Sequence, residues 1–151
     1  MNASDLVHLI GAASAFLCLI FTGAAVYVSL VEHPARLSCG TEVAARQWAP
    51  SYRRATVMQA TLAVASGIMG VMTWVHGEGI TWLWAALLIL ANVPYTLLVI
   101  RPTNSRLMAP GRDLASAETQ TLLEQWGRLH AVRSVLGLAA SVLYVCALVR
   151  L

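Results

Sequence analysis

Six positions near the end of the chain, Trp126, His130, Arg133, Gly137, Ser141 and Tyr144, step by 4, 3, 4, 4 and 3 residues. At 3.6 residues per turn they share one helix face, and the rest of that helix is Leu, Val and Ala. The residue types are those of proton transfer and anion binding. A histidine takes a proton near neutral pH, and an arginine one turn away stabilises the oxyanion that results. The plainer reading is an arginine that snorkels to the membrane interface beside a histidine that only packs.

Other polar residues fall near the same membrane boundary and come from all four predicted helix ends. His33 and Asn104 join His130 and Arg133 as candidate catalytic groups. Glu32, Tyr52, Arg53, Gln59, Tyr95 and Trp126 are the candidate substrate contacts. An acceptor, fixed cations and amides around an aromatic chamber suit enolate or phenolate chemistry on a hydrophobic small molecule. A second function is a haem- or metal-binding redox module with His33 and His130 as ligands, although metal sites usually show three or four ligands and their supporting partners. A third is a non-enzymatic membrane accessory or small carrier. Four spans without internal symmetry make a poor alternating-access device unless they oligomerise, and a homo-oligomer stays open on that account. Each residue also has a structural role available: His33 as a helix-end residue, Glu32 as the ion-pair partner of Arg36 or Arg133, Asn104 as a helix-terminus hydrogen-bonder.

These side chains need membrane helices to hold them. The chain is 58% hydrophobic and 11% charged, with a mean hydropathy of +0.69, far below the quarter of charged residues usual in soluble domains. It reads as one all-α transmembrane domain, a polytopic four-helix bundle with spans at about 6–32, 53–76, 80–101 and 127–150, each near the roughly 20 residues a bilayer requires. The first apolar run has Asp5 where a basic leader would begin, and is expected to remain as a span. All ten basic residues are arginine, and most lie between spans one and two or between spans three and four. The positive-inside rule therefore places both long loops in the cytoplasm and both termini outside, in a multi-pass protein of a bacterial inner membrane. The fourth helix begins in the cytoplasm, with Asp113 or Ser116 as its N-cap and Glu118 in its first turn.

Stripes of small and polar residues let the spans approach one another. Span one carries Gly11, Ser14, Cys18, Thr22, Ala25 and Ser29; span two carries Tyr52, Thr56, Gln59, Ala63, Ser66, Gly70 and Thr73. Span one is expected to end at Glu32-His33-Pro34. A connection of some twenty residues follows, and Pro50 suits the first position of the next helix. The His76–Gly79 turn forces spans two and three into a hairpin, with Trp74, Trp82 and Trp84 as interfacial anchors. In span three, Pro94 is expected to kink the helix beside the buried amide of Asn92. Cys18, Cys39 and Cys146 are isolated and have no metal-ligand spacing.

With these residues in view, the chain resembles the anthrone-oxygenase-like family of small four-helix membrane proteins, whose bacterial branch is largely uncharacterised. The resemblance rests on Pro102-Thr103-Asn104 with Leu107, and on Trp126, Leu129-His130 and Arg133. Pro34, Trp48 and Tyr52 are weaker matches, and Glu32-His33 before Pro34 looks like a bacterial variant. It implies a four-helix bundle and, in the fungal branch, oxygenation of an anthrone to an anthraquinone. An electron-rich anthrone-like carbanion reacts with dioxygen directly, so the resemblance leaves a cofactor-free oxygenase open to the His130–Arg133 pair. No phosphate-binding loop, serine elbow or basic helix is present, and nothing points to nucleic acid.

Overall fold

A chain this apolar must satisfy its backbone polar groups internally, and helices do so locally. The computed structural model describes residues 2–150. Its helices are α1 (Ala3–Tyr27), α2 (His33–Ser38), α3 (Thr41–Val75), α4 (Thr81–Tyr95), α5 (Arg101–Leu107) and α6 (Ala117–Leu148). Two π-helical turns, Val28–Glu32 and Thr96–Ile100, join α1 to α2 and α4 to α5. Four rods result, Ala3–Ser38, Thr41–Val75, Thr81–Leu107 and Ala117–Leu148, all long and apolar enough to cross a membrane. The protein is a multi-pass membrane four-helix bundle. Around its perimeter α1 packs on α3, α3 on α4, α4 on α6, and α6 on α1. That leaves α1 opposite α4 and α3 opposite α6.

The prolines do not end the first and third rods. Span one was expected to stop at Glu32-His33-Pro34, yet the rod runs on to Ser38. Pro34 and Pro102 each lie two residues beyond the end of a π turn. A proline within a helix removes one backbone bond and crowds the preceding turn, and a wider π turn accommodates both effects without breaking the rod. The expected long connection reduces to a turn at Cys39–Gly40, where Gly40 takes φ +87°. Pro50 consequently lies inside α3 and not at its start. The turns before it bury Ala44, Ala45 and Trp48 in one cluster with Leu122, Leu123 and Trp126 of α6, and this packing outweighs the lost bond.

The small-residue stripes face inward: Gly11, Ser14, Cys18, Thr22 and Ala25 are buried on α1, and Gln59, Ala63, Ser66, Gly70 and Thr73 on α3. Ser14 and Ser66 exchange hydroxyl-to-carbonyl bonds of 2.8 and 2.9 Å, and Tyr144 of α6 donates across the bundle to the Ser66 carbonyl at 3.2 Å. Trp82 is a correction to the sequence reading. It is a core residue at 1% exposure, tilted against Tyr144 and over Gly11, whereas Trp84 faces outward. Without a side chain at Gly11, the indole has room to turn inward. Ser116 is the N-cap of α6, accepting from the Thr119 amide at 3.2 Å.

A Cβ on Gly70 would run into the Tyr144 hydroxyl, while one on Gly23 would meet nothing within 4 Å. Gly70→Ala is therefore expected to destabilise the detergent-solubilised protein by about 1–3 kcal/mol through overpacking. Gly23→Ala should be neutral or slightly stabilising through helix propensity. Thermal unfolding followed by circular dichroism separates the two.

Candidate functional site

The polar face of α6 is turned into the bundle: Trp126, His130, Arg133, Gly137, Ser141 and Tyr144 are all buried. Arg133 sits near the axis at 9% exposure. Its Nη2 donates to Gln59 Oε1 of α3 at 2.8 Å, and its guanidinium carbon lies 5.5 Å from the centre of the Phe21 ring. Its Nε has no hydrogen-bond partner, and among the described residues no carboxylate pairs with it. One turn away, His130 Nδ1 shares a 3.0 Å hydrogen bond with Ser29 Oγ, which is itself 2.9 Å from Ser134 Oγ. The imidazole stacks on Trp126 at 4.8 Å between centroids. With Nδ1 engaged by Ser29, Nε2 is the ring nitrogen left for a substrate.

Two cavities meet at Arg133. The smaller, of about 20 Å³, is lined by Tyr52, Gln59, Trp126, His130 and Arg133 together with Arg36 and Ser51. The larger, of about 100 Å³, lies between α3 and α4 and is lined by Gln59, Asn92, Arg133, Thr56 and Thr96, with Ala60, Ala63, Val93 and Leu97 as its apolar part. Thr56, Gln59 and Arg133 belong to both. A guanidinium with spare donors thus faces each space, and an imidazole faces one. That arrangement can hold an anionic oxygen and take a proton beside it.

A second polar group lies next to the first. Arg36 pairs with Glu32, one turn earlier. Of the two partners open to Glu32 in the sequence, Arg36 is the one it takes. Glu32 Oε1 also accepts from Ser51 Oγ at 2.9 Å and Gln47 Nε2 at 3.1 Å. Arg36 lies 6.0 Å from the Trp126 ring. His33 Nε2 donates to the Leu123 carbonyl at 3.0 Å, which leaves Nδ1 as a buried acceptor without a partner. The His33 ring rests directly on Gly127, where a Cβ would collide with it.

The structure therefore brings Tyr52, Gln59, Trp126, His130 and Arg133 to a common wall, and sets the other expected residues apart. His33 packs on Trp126 at 5.0 Å but lines neither cavity. Asn104 is buried, both its amide atoms lack partners, and it too lines neither cavity. Tyr95 donates to the Leu129 carbonyl at 3.2 Å, and Arg53 is exposed. His33 and His130 both contact Trp126, but among the described residues no group of three or more His, Cys, Asp or Glu is placed to hold a metal ion. Ser29, Arg36, Ser51, Thr56, Asn92 and Thr96 are polar residues of the site that the sequence does not single out as candidates. For Asn92 the signal was present: a lone amide in an apolar span.

These features define a class: a membrane-embedded helical bundle with a buried, counterion-free arginine between two cavities. Residues 48–143 match the model of a family described as anthrone oxygenase. The chain is 30% identical over 91% of its length to an anthrone oxygenase of Claviceps purpurea, covering 85% of that protein. It is 37% identical to the anthrone oxygenase nsrD of Aspergillus novofumigatus, over 70% of each chain. To the anthrone oxygenase ptaC of Pestalotiopsis fici it is 31% identical, over 66% of this chain and 80% of that one. The protein belongs to the anthrone oxygenase family. No solved structure matches it.

The two arginines have opposite energetic signatures. Removing the partner of Arg36 with Glu32→Leu strands a buried charge, and a loss of about 3 kcal/mol is expected. Replacing the Arg133–Gln59 pair together, as Arg133→Met with Gln59→Leu, removes an uncompensated cation and its amide. That double variant should unfold at the same or a higher temperature, by up to about 1–4 kcal/mol, as buried ionic groups do when exchanged for apolar ones. Thermal melts of the purified variants decide both.

Proposed function

We propose that the protein is a membrane oxygenase acting on a hydrophobic aromatic, anthrone- or polyketide-like substrate. The observation that carries this is Arg133, a buried guanidinium without a carboxylate, one helical turn from His130 and facing both cavities. Its relatives, anthrone oxygenases by name, supply the substrate class. His130 Nε2 takes a proton from the activated methylene of the substrate. The charge left behind delocalises onto the ring oxygen, which Arg133 and the Gln59 amide stabilise as an oxyanion. The carbanion adds dioxygen, forming a carbon–oxygen bond, and His130 returns its proton to the terminal peroxide oxygen. Loss of the second methylene proton with cleavage of the O–O bond leaves a carbonyl and water. Overall, one methylene and one dioxygen give one ketone and one water, so the route is balanced with dioxygen as the sole oxidant.

Ser29 and Ser134 orient the imidazole and Trp126 covers its face. His33 acts one layer away, against Trp126, as a support of this wall, and Asn104 lies outside both cavities. By the positive-inside rule the site faces the cytoplasm, with both termini across the membrane. A bacterial inner membrane is the proposed setting, on the arginine bias and the Glu32-His33-Pro34 variant, while the relatives cited above are fungal.

The test is oxygen uptake by the purified protein in nanodiscs with an anthrone as substrate, corrected for the spontaneous reaction. His130→Ala is expected to lower kcat by about 10²-fold or more, the usual contribution of a positioned base, and Arg133→Met to do likewise. Uptake by both variants equal to that of the unmodified protein would reject the proposal.

A further inference from the structure

The larger cavity is too small to enclose a fused aromatic. An engineered cavity of about 150 Å³ in another protein is filled by a single benzene, and this one is about 100 Å³. It is not sealed, however. Ala60 on α3 is exposed, and Leu97 in the second π turn is 55% exposed, so the space opens sideways between α3 and α4 onto the face that meets lipid. The inner wall is polar. Gln59 Oε1 is occupied by Arg133, which leaves the Gln59 NH₂ and the remaining guanidinium N–H groups as donors. Across from these, Asn92 is 2% exposed. Its Nδ2 turns back to the carbonyls of Leu88 and Ile89 at 3.4 and 3.2 Å, and its Oδ1, buried, has no partner. A buried acceptor left without a donor costs roughly 1–3 kcal/mol, and such a group in a cavity wall is where a ligand's donor belongs.

We propose that the α3–α4 cleft is a substrate berth entered from the bilayer, in which Asn92 Oδ1 selects ligands bearing a hydroxyl in addition to the oxygen held by Arg133 and Gln59. The aromatic edge carrying both oxygens points inward, and the rest of the ring system lies between Ala60 and Leu97 at the lipid boundary. His130 lines only the smaller cavity, so this is the berth of arrival, from which the substrate advances past Arg133 to meet the base. This rests on the reading above for what the site is for, and adds the way in and a specificity residue to it.

The experiment measures binding without turnover, to the full chain in nanodiscs against empty nanodiscs. The probes are an anthraquinone with a single hydroxyl on the same edge as one carbonyl but not adjacent to it, so that the two do not bond to each other, and the methyl ether of the same compound. The unmodified protein should prefer the hydroxyl form by about tenfold, the worth of one hydrogen bond at a buried acceptor. Asn92→Leu should bring the two probes within about twofold of each other. Ala60→Trp, which fills the opening from the lipid side, should slow association of both probes at least tenfold while the helical spectrum and melting temperature are retained. A preference that survives Asn92→Leu overturns the specificity role. Unchanged association in Ala60→Trp overturns the portal, and Leu97→Trp repeats that arm should Ala60→Trp fail to fold. Probe preference governed by Asn92 in a protein that consumes no oxygen sinks the oxygenase reading alone. Oxygen uptake that depends on His130 but ignores both Asn92→Leu and Ala60→Trp sinks this inference alone.

Discussion

A positive charge that has no counter-charge among the described residues sits inside this bundle. Arg133 is held by one amide oxygen and the face of one phenyl ring, in surroundings where a cation is costly. Arg36, about as deeply buried, is neutralised by Glu32 and by that carboxylate's own bonds to Ser51 and Gln47. The contrast is between an arginine neutralised by a carboxylate and one held by neutral groups, which the proposed function uses. In a poorly solvated site an unneutralised guanidinium acts strongly on negative charge that develops nearby, and a fixed carboxylate would cancel that effect before any substrate arrived. The rest of the fold can be understood as what keeps this charge in place.

The diagonal between α3 and α6 carries that load. At one level Tyr144 reaches the Ser66 carbonyl, whose serine is locked to Ser14; at another, Arg133 reaches Gln59. Small residues make these crossings short: Gly70 leaves room for the Tyr144 hydroxyl, and Gly137 for Thr22 and Phe21. Phe21, placed by that fit, supplies the aromatic face against the guanidinium. Toward the arginine-rich end the packing becomes aromatic, with Tyr52 stacked on Trp48, and Trp48 edge-on to Trp126. Trp126 in turn carries both histidines.

Periodicity made much of this readable in advance. The α6 stripe and its counterparts on α1 and α3 repeat at helical spacing, so the inward faces, and the burial of His130 and Arg133 with them, followed from residue type and position alone. Composition fixed the membrane environment for the same reason. What escaped depends on contacts between helices, which spacing does not encode. Trp82 looked like an anchor because it lies beside a turn, but the missing side chain at Gly11 opens a place for it in the core. Pro50 looked like a helix start because proline favours that position, but burial of Ala44, Ala45 and Trp48 draws the helix back past it. Asn92 was visible as a polar residue. Its membership of the Arg133 wall was not, because that depends on how α4 leans on α3. Arg53, one residue from Tyr52, points away, as neighbours on a helix do.

The two π turns give the bundle unequal diagonals. Ser29, within the first turn, meets His130, and Tyr95, just before the second, meets the Leu129 carbonyl, so both turns lie at one height on α6. The α3 and α6 rods pass that height as uninterrupted α-helix, whereas the rods built on α1 and α4 are jointed there. The segments beyond the joints, bearing His33 on one side and Asn104 on the other, take their direction from these turns, while the Arg133–Gln59 crossbar spans two rods that keep theirs.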